Sequence, residues 1–587
     1  MKTTSGKIRI MQIIGSLLIR SGFILIIVLL LVVSCLLVSY SYSDIIQWIT
    51  QTYIPTDKLD KFQHSILTPS RFVLVRYLSV MATLVLALCT YLIWKKIPPA
   101  IQLTTEWALY LYRLIQKTYY KTTSIERVCL LSLALLICIC RIYFLTKLPL
   151  HVDERFTYLY FVSKGWIVSA IYYPGPNNHI LFSLLCTIFN FFLQSPLWVL
   201  RLPALLSGAL ALFGIWVLIR HYFSAFIAIG SVSLLAFSPQ VFGYSIQGRG
   251  YSLLLCWIIL ATGCLLSILS AKKISSITSF LFVISCFLGF YTIPIFLYPF
   301  AGLSLYLMLF FLTQKNMHQL IRLLWMEICV GILVALVYLP VTLLNGWGAV
   351  TANTWTTQLE WPTFLEGLRT TLTDLADFMW NSIPYSTWFT LIISTGSILL
   401  ILTRQITGFQ KHWLQLYLLT LWIIIPIMVL QRVLPYGRIM IYILPLQWPA
   451  IAILGQHVFS YFQYYRVFII GGLIVYALSC IDTFQQLTTP EGKGIYNSLD
   501  NVSHWLYDHQ ADGVFVQYYE YGLCILFQYE TNHRTIQLDI GADRFSTKKK
   551  YNFVVVHKDH LFPASLSMSS YQIVYKDTDA TIYQYKH

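Results

Sequence analysis

The sequence predicts a polytopic α-helical membrane protein that ends in a small α/β domain, and three observations predict it. Of its 587 residues, 57% are hydrophobic and 11% charged. A soluble globular protein carries about 25% charged residues, so much of this surface faces something less polar than water. Runs such as "FILIIVLLLVVSCLLVSY" (23–40) and "LLLCWIILATGCLLSIL" (253–269) are long enough, at about 1.5 Å per residue, to cross most or all of a hydrocarbon core about 30 Å thick. After residue 482 the pattern changes: "GVFVQYY" (513–519), "YNFVVVH" (551–557) and "YQIVYKDTDATIYQY" (571–585) alternate with helical or polar segments, as strands of a small α/β domain do.

Apolar stretches of spanning or near-spanning length occur at 20–40, 72–94, 126–146, 179–197, 203–219, 222–239, 249–270, 276–292, 293–313, 322–344, 387–403, 412–430, 437–455 and 464–482. The first is expected to be retained, because it follows a basic segment and has no small-residue cleavage site. Lys and Arg collect on the cytoplasmic side of a membrane protein. By that rule the amino terminus (Lys2, Lys7, Arg9), the 95–127 segment, Arg220, Lys272 with Lys273, Lys315 with Arg322, and Arg404 with Lys411 lie inside. The loops at 147–178 and 345–386 then lie outside. An odd number of crossings is needed between residue 147 and Arg220, so the 179–197 stretch, bounded by polar residues and Pro, is expected to be re-entrant or to lie along the interface.

The resulting expectation is about 13 transmembrane helices in a bacterial inner (plasma) membrane, with the amino terminus cytoplasmic. Residues 1–125 form a two-helix membrane extension with a cytoplasmic amphipathic segment, "WALYLYRLIQKTYYK" (107–121). Residues 126–482 form the transmembrane catalytic core, and 483–587 the extracytoplasmic α/β domain.

The net charge of +16 is what Lys- and Arg-rich cytoplasmic loops produce, so nucleic acid is not an expected partner. Eleven of the 12 Cys lie in or beside apolar stretches and only Cys524 sits in the polar tail. Neither a disulfide framework nor a zinc site is expected from that placement. No metal ligands are assigned; the sequence leaves the cofactor unknown and a divalent metal open.

The unusual polar residues gather at predicted outer helix ends. "LPLHVDERFTYLYF" (149–162) places His151, Asp153, Glu154 and Arg155 directly after an apolar run, and "YYPGPNNHI" (172–180), "RLP" (201–203), "QGRGY" (247–251) and "LPYGR" (434–438) share that side. Ionisable groups at membrane depth cost several kcal/mol unless paired or functional. Arg201, Arg249 and Arg438 can each snorkel to headgroups, or can together hold phosphate oxygens with forked donors. A carboxylate beside them can take a proton from an attacking hydroxyl while the cations stabilise a phosphate leaving group. Neighbours on a helix point about 100° apart, so Asp153 and Glu154 cannot both aim at one atom. Asp153 is the expected base; Glu154 is either a second catalytic carboxylate or the partner of a local Arg.

The "DE" pair in the first outer loop, the Pro-containing end of that loop, "RLPALLSG", "SPQVFGYSIQGRGYSLLL" and "PYGRIMIYILPL" follow one another over 126–482. In that order they resemble the GT-C membrane glycosyltransferases, specifically the group containing protein O-mannosyltransferases and the aminoarabinose transferase of lipid A. The resemblance implies a GT-C-like fold and a polyprenyl-phosphate-linked sugar as donor. It further implies a lipid, glycan or protein acceptor, Asp153 as catalytic base, Arg201 on the carrier phosphate, and inverting transfer at the outer face of the lipid bilayer. Relatives often carry an acid just after the Arg of the "GR" motif, where this chain has Gly250 and Tyr251.

Asn178 and His179 are placed to hydrogen-bond sugar hydroxyls, or the Asn pair to cap a helix. Tyr251 and Tyr291 ("GFYTIP") are candidates for the same cavity. The Trp- and Thr-rich loop at 345–386 suits a cover over a substrate or an interfacial anchor. Two other readings stay open: a transporter or flippase of an anionic lipid-linked substrate, and a non-catalytic partner subunit.

Overall fold

The computed structural model describes residues 28, 31–32, 34–52, 68–93, 97–351, 357–381, 383–459, 465–489, 493–541, 551–563 and 566–586. Among them, eight helices are long and apolar enough to cross a membrane, or nine if one bent pair counts as a span. In hydrocarbon every backbone N–H and C=O needs an internal partner, which a continuous helix supplies. The chain is an integral membrane protein. The candidate at 20–40, and Lys2, Lys7 and Arg9, lie mostly or wholly outside the described residues.

The bundle is built around two helical segments, Tyr251–Ala271 and Gly437–Phe459, whose apolar windows are 72% and 78% buried. Ser124–Lys147 stands at the periphery, where Ile125, Val128, Leu131 and Leu135 are exposed. Its start is fixed by a capping box of Thr123 and Glu126, which satisfies two otherwise orphaned N–H groups.

Four apolar stretches depart from simple spans. The 179–197 stretch contains only the 11-residue helix Ile180–Asn190, about 16 Å long and too short to cross. The 222–239 stretch becomes Ala225–Ala236 and Pro239–Ile246, bent by 61°. Pro239 cannot donate to the preceding turn, so the chain breaks there. The buried Arg141 donates to the freed carbonyl of Ala236 at 3.3 Å. Helices Ser276–Thr292 and Ser386–Leu402 have 17 residues each, so the spans recognised by length are fewer than thirteen.

The carboxyl-terminal part holds a five-stranded sheet in the order β2-β1-β3-β5-β4: β1 (Val514–Val516), β2 (Leu538–Ile540), β3 (Phe553–His557), β4 (Tyr571–Lys576) and β5 (Ala580–Tyr585). β1 runs parallel to β2 and β3, and β5 antiparallel to β3 and β4. "FVVVH" is buried throughout, as suits a strand covered on both faces. Helices Ile495–Asp508 and Tyr519–Thr531 join this sheet to the membrane part. Leu523 and Phe527 pack with Leu159 and Tyr160 of the short helix Val152–Tyr160.

Candidate functional site

Three consecutive residues of Val152–Tyr160 face three different bodies, as a 100° step per residue requires. Arg155 points to the carboxyl-terminal domain, where it pairs with Asp500 and donates to the Leu150 carbonyl at 3.1 Å. Glu154 points into the bundle. Asp153 points into the cleft between them, with its side chain 31% exposed.

Glu154 is fully buried and its carboxylate is saturated. Arg201 Nε donates to Oε1 at 2.9 Å and Nη2 to Oε2 at 2.8 Å. The Gly248 backbone N–H donates to Oε1 at 2.6 Å and that of His151 to Oε2 at 2.8 Å. Burial pushes the Glu154 carboxyl up, but Arg201 and these donors outweigh it and hold it below the usual range. Arg201 is equally occupied. Its remaining N–H groups donate to the carbonyls of Leu145, Leu148 and Pro149 at 2.6, 2.9 and 2.6 Å, capping the open end of Ser124–Lys147.

Two expectations are corrected here. Arg201 has no donor left for a carrier phosphate, because all five N–H groups are engaged. Glu154 is no second base, because a buried carboxylate locked to a guanidinium reaches no substrate. Together they form the joint that sets the helix carrying Asp153.

Asp153 Oδ2 lies 3.9 Å from Arg249 Nη2 and 3.9 Å from Arg438 Nη1. Burial pushes its carboxyl up; Arg249, then His151 and Arg438, outweigh that and hold it below the usual range. Arg249 is buried, with Nη1 donating to Thr157 Oγ1 at 3.2 Å and to the Asn177 carbonyl at 3.1 Å. Arg438 differs. It makes no hydrogen bond within the described protein, its side chain is 43% exposed, and it lies over the Tyr436 ring at 5.5 Å.

His179 completes this wall. Its Nδ1 accepts from the Gly250 backbone N–H at 2.9 Å, so Nδ1 carries no proton. Burial first, then Arg249 and Arg438, keep the ring neutral, which leaves the hydrogen on Nε2. That Nε2 is 3.3 Å from Arg249 Nη2. Two donors therefore face one another with no acceptor between them, a geometry that suits an anion's oxygen. Tyr251 stands edge-on to His179 at 5.0 Å and against Tyr244 at 4.2 Å. The approach depends on glycine: a Cβ on Gly248 would lie 2.6 Å from Leu200 Cβ, and one on Gly250 3.0 Å from His179 Cβ.

Asn178 is not placed to read a sugar. Its amide donates to the Ser169 and Tyr172 carbonyls at 2.9 and 3.0 Å and accepts from Ser183 Oγ at 2.8 Å, so it ties down the loop instead. Tyr291 also falls outside the group around Asp153. It stacks on Phe287 at 6.0 Å and meets Tyr338 edge-on at 6.5 Å, within an apolar cluster that includes Ile180 and Val341.

Three residues not read as candidates join the site. Tyr244 arrives through the 61° bend and packs on Tyr251. Glu520, in the first turn of Tyr519–Thr531, is half-buried and makes no hydrogen bond or ion pair among the described residues; burial, then the charge of Asp153, pushes its carboxyl up. Tyr496, whose ring is 5.2 Å from that of His151, closes the same side. Among the described residues, no three His, Cys, Asp or Glu gather as a metal site needs.

Solved structures resemble this chain. ArnT from Cupriavidus metallidurans in the apo state is similar with a TM-score of 0.49 and 12% identity, over 78% of this chain and 98% of that one. ArnT bound to undecaprenyl phosphate gives 0.46 and 13%, over 77% and 97%. Archaeal oligosaccharyltransferase AglB from Archaeoglobus fulgidus, in complex with an inhibitory peptide and a dolichol-phosphate, gives 0.43 and 14%, over 74% and 70%. No family model and no curated protein sequence matches the chain. At these values the chemistry has to be read from the side chains themselves.

Proposed function

We propose that this chain is a membrane glycosyltransferase that moves a sugar from a polyprenyl-phosphate donor to a lipid, glycan or protein acceptor. The observation that carries the reading is the single carboxylate of Asp153 at 3.9 Å from two guanidinium groups, those of Arg249 and Arg438. A carboxylate able to take a proton and two cations able to hold a phosphate leaving group are thereby brought into one site.

The acceptor hydroxyl gives its proton to Asp153 as its oxygen attacks the anomeric carbon. The bond from that carbon to the phosphate oxygen breaks, and the phosphate keeps the electron pair against Arg249, Arg438 and the Nε2–H of His179. Attack from the face opposite the phosphate inverts the anomeric centre. Arg249, then His151 and Arg438, hold the Asp153 carboxyl below its usual range. A bound phosphate offsets the two cations and raises the proton affinity of Asp153, so donor binding activates the base.

The distribution of Lys and Arg supports an outer-face site, a cytoplasmic amino terminus and an extracytoplasmic carboxyl-terminal domain. Residues 126–482 act as the catalytic core in this reading. Mass spectrometry of envelope glycolipids and glycoproteins, with and without this protein, tests it. One sugar modification should disappear and its polyprenyl-phosphate donor should accumulate; unchanged glycans together with unchanged donor lipids overturn it.

A further inference from the structure

The opposite end of the bundle has its own unassigned features. Arg201 and Arg220 lie on one helix, Pro196–Tyr222, about 28 Å apart at 1.5 Å per residue, close to a hydrocarbon thickness. Beside the Arg220 end runs a groove of about 270 Å³ between the Ile97–Lys121 helix and three others, Pro196–Tyr222, Tyr251–Ala271 and Ser276–Thr292. Its walls are apolar, with Leu114, Val217, Leu218 and Leu260 among them, and Leu210 and Phe213 at its margin are 59% and 44% exposed. Inside a bilayer such a face suits lipid tails.

The groove ends at Tyr222, and Tyr222 also lines a second, open hollow of about 460 Å³ with Lys121, Arg220 and Ser224. The charge around this hollow is not balanced. Arg220 is matched by Glu126 at 3.2 Å. Among the described residues, Lys121 donates only to the carbonyls of Arg220 and His221, each at 3.2 Å, which leaves one N–H free there. Lys117 is exposed and has no partner among the described residues. Burial first, then the charges of Arg220 and Lys117, push the Lys121 ammonium below its usual value.

We infer that this end of the bundle binds one phospholipid with an anionic headgroup, an acyl chain lying in the groove and the phosphate resting against Lys117 and Lys121. Apolar walls that open to the bilayer, continued by a cationic hollow at headgroup depth, match the two halves of such a lipid. The site is separate from Asp153, so it stands or falls independently of the transferase reading.

Native mass spectrometry of the purified full chain tests this, with phosphatidylglycerol or phosphatidylcholine of the same acyl chains added. One phosphatidylglycerol should be retained at least about tenfold better than phosphatidylcholine. Lys117→Gln with Lys121→Gln should erase that preference, and Lys117→Gln alone should weaken it. Gly214→Leu, whose new side chain enters the groove beside Ile259, should reduce retention of both lipids. Equal retention of the two lipids by the natural protein overturns the inference, as does an unchanged preference in the double variant. Displacement of phosphatidylglycerol by an equimolar amount of undecaprenyl phosphate also overturns it, since the occupant would then be a carrier lipid.

Discussion

Arg201 holds both oxygens of Glu154, at 2.9 and 2.8 Å, inside the bundle, and the residue beside Glu154 is thereby turned into the cleft. Removing one partner of a buried pair leaves an uncompensated charge and costs about 3–5 kcal/mol. Glu154→Gln and Arg201→Gln should each lower the melting temperature of the detergent-solubilised protein sharply. Asp153→Asn, one residue away and at a partly exposed carboxylate, should lower it much less. Equal effects at 153 and 154 would contradict the division of roles between them.

Acid should find the same joint. Asp153 and Glu154 are both held below the usual carboxylate range in the folded state. A depressed folded value means that the stabilisation is complete above the unfolded values, about 3.9 and 4.3, and is lost as pH falls through the folded ones. Melting temperature should therefore be flat from about pH 7 to 5 and fall below that. Part of the fall should be absent in Glu154→Gln.

Glu520 carries the opposite sign. Burial and Asp153 raise its carboxyl, so the folded state prefers it protonated and its charge at neutral pH is unfavourable. Glu520→Gln should raise the melting temperature at pH 7 and leave it unchanged at pH 4. A lowered value at pH 7 would mean that Glu520 has a cationic partner.

How much of this was legible in the sequence depends on what each residue's position rests on. Asp153, Arg249 and Arg438 sit in polar motifs at helix ends, and the positive-inside rule alone puts those motifs on one side. The role of Arg201 was hidden. "RLP" looks like any outer-end arginine, and only the approach of the Leu145–Pro149 carbonyls shows that its donors are already taken. Tyr244 depends on the bend at Ser238-Pro239, for which Pro239 was a readable signal. Glu520 depends on the helix Tyr519–Thr531, distant in sequence, docking along Val152–Tyr160, and no local pattern announces that. The 222–239 stretch reads as one straight span because hydrophobic composition continues through Phe237–Ser238, whereas the polar and Pro borders of 179–197 already marked a stretch that does not fully cross.

Among the described residues Arg438 makes no hydrogen bond and keeps its donors available, whereas all five N–H groups of Arg201 are engaged. Charge-assisted hydrogen bonds contribute about 1.5–3 kcal/mol each, so Arg438→Gln should weaken binding of undecaprenyl phosphate to the purified protein about 10- to 100-fold. Arg438→Lys should recover only part of it, since the forked donor is lost. Undiminished binding in Arg438→Gln would remove this residue from the phosphate site.

Asp153→Asn, assayed for both binding and transfer, tests the central claim most directly. The amide keeps the shape but accepts no proton, so cells carrying the variant should lose the glycan product that depends on the natural protein. The purified variant should still bind undecaprenyl phosphate as well as the natural protein or better, since a negative neighbour of the phosphate is gone. Full product with Asp153→Asn would contradict the assignment of this carboxylate as the base and would favour a protein that binds or moves its lipid-linked ligand without breaking a bond.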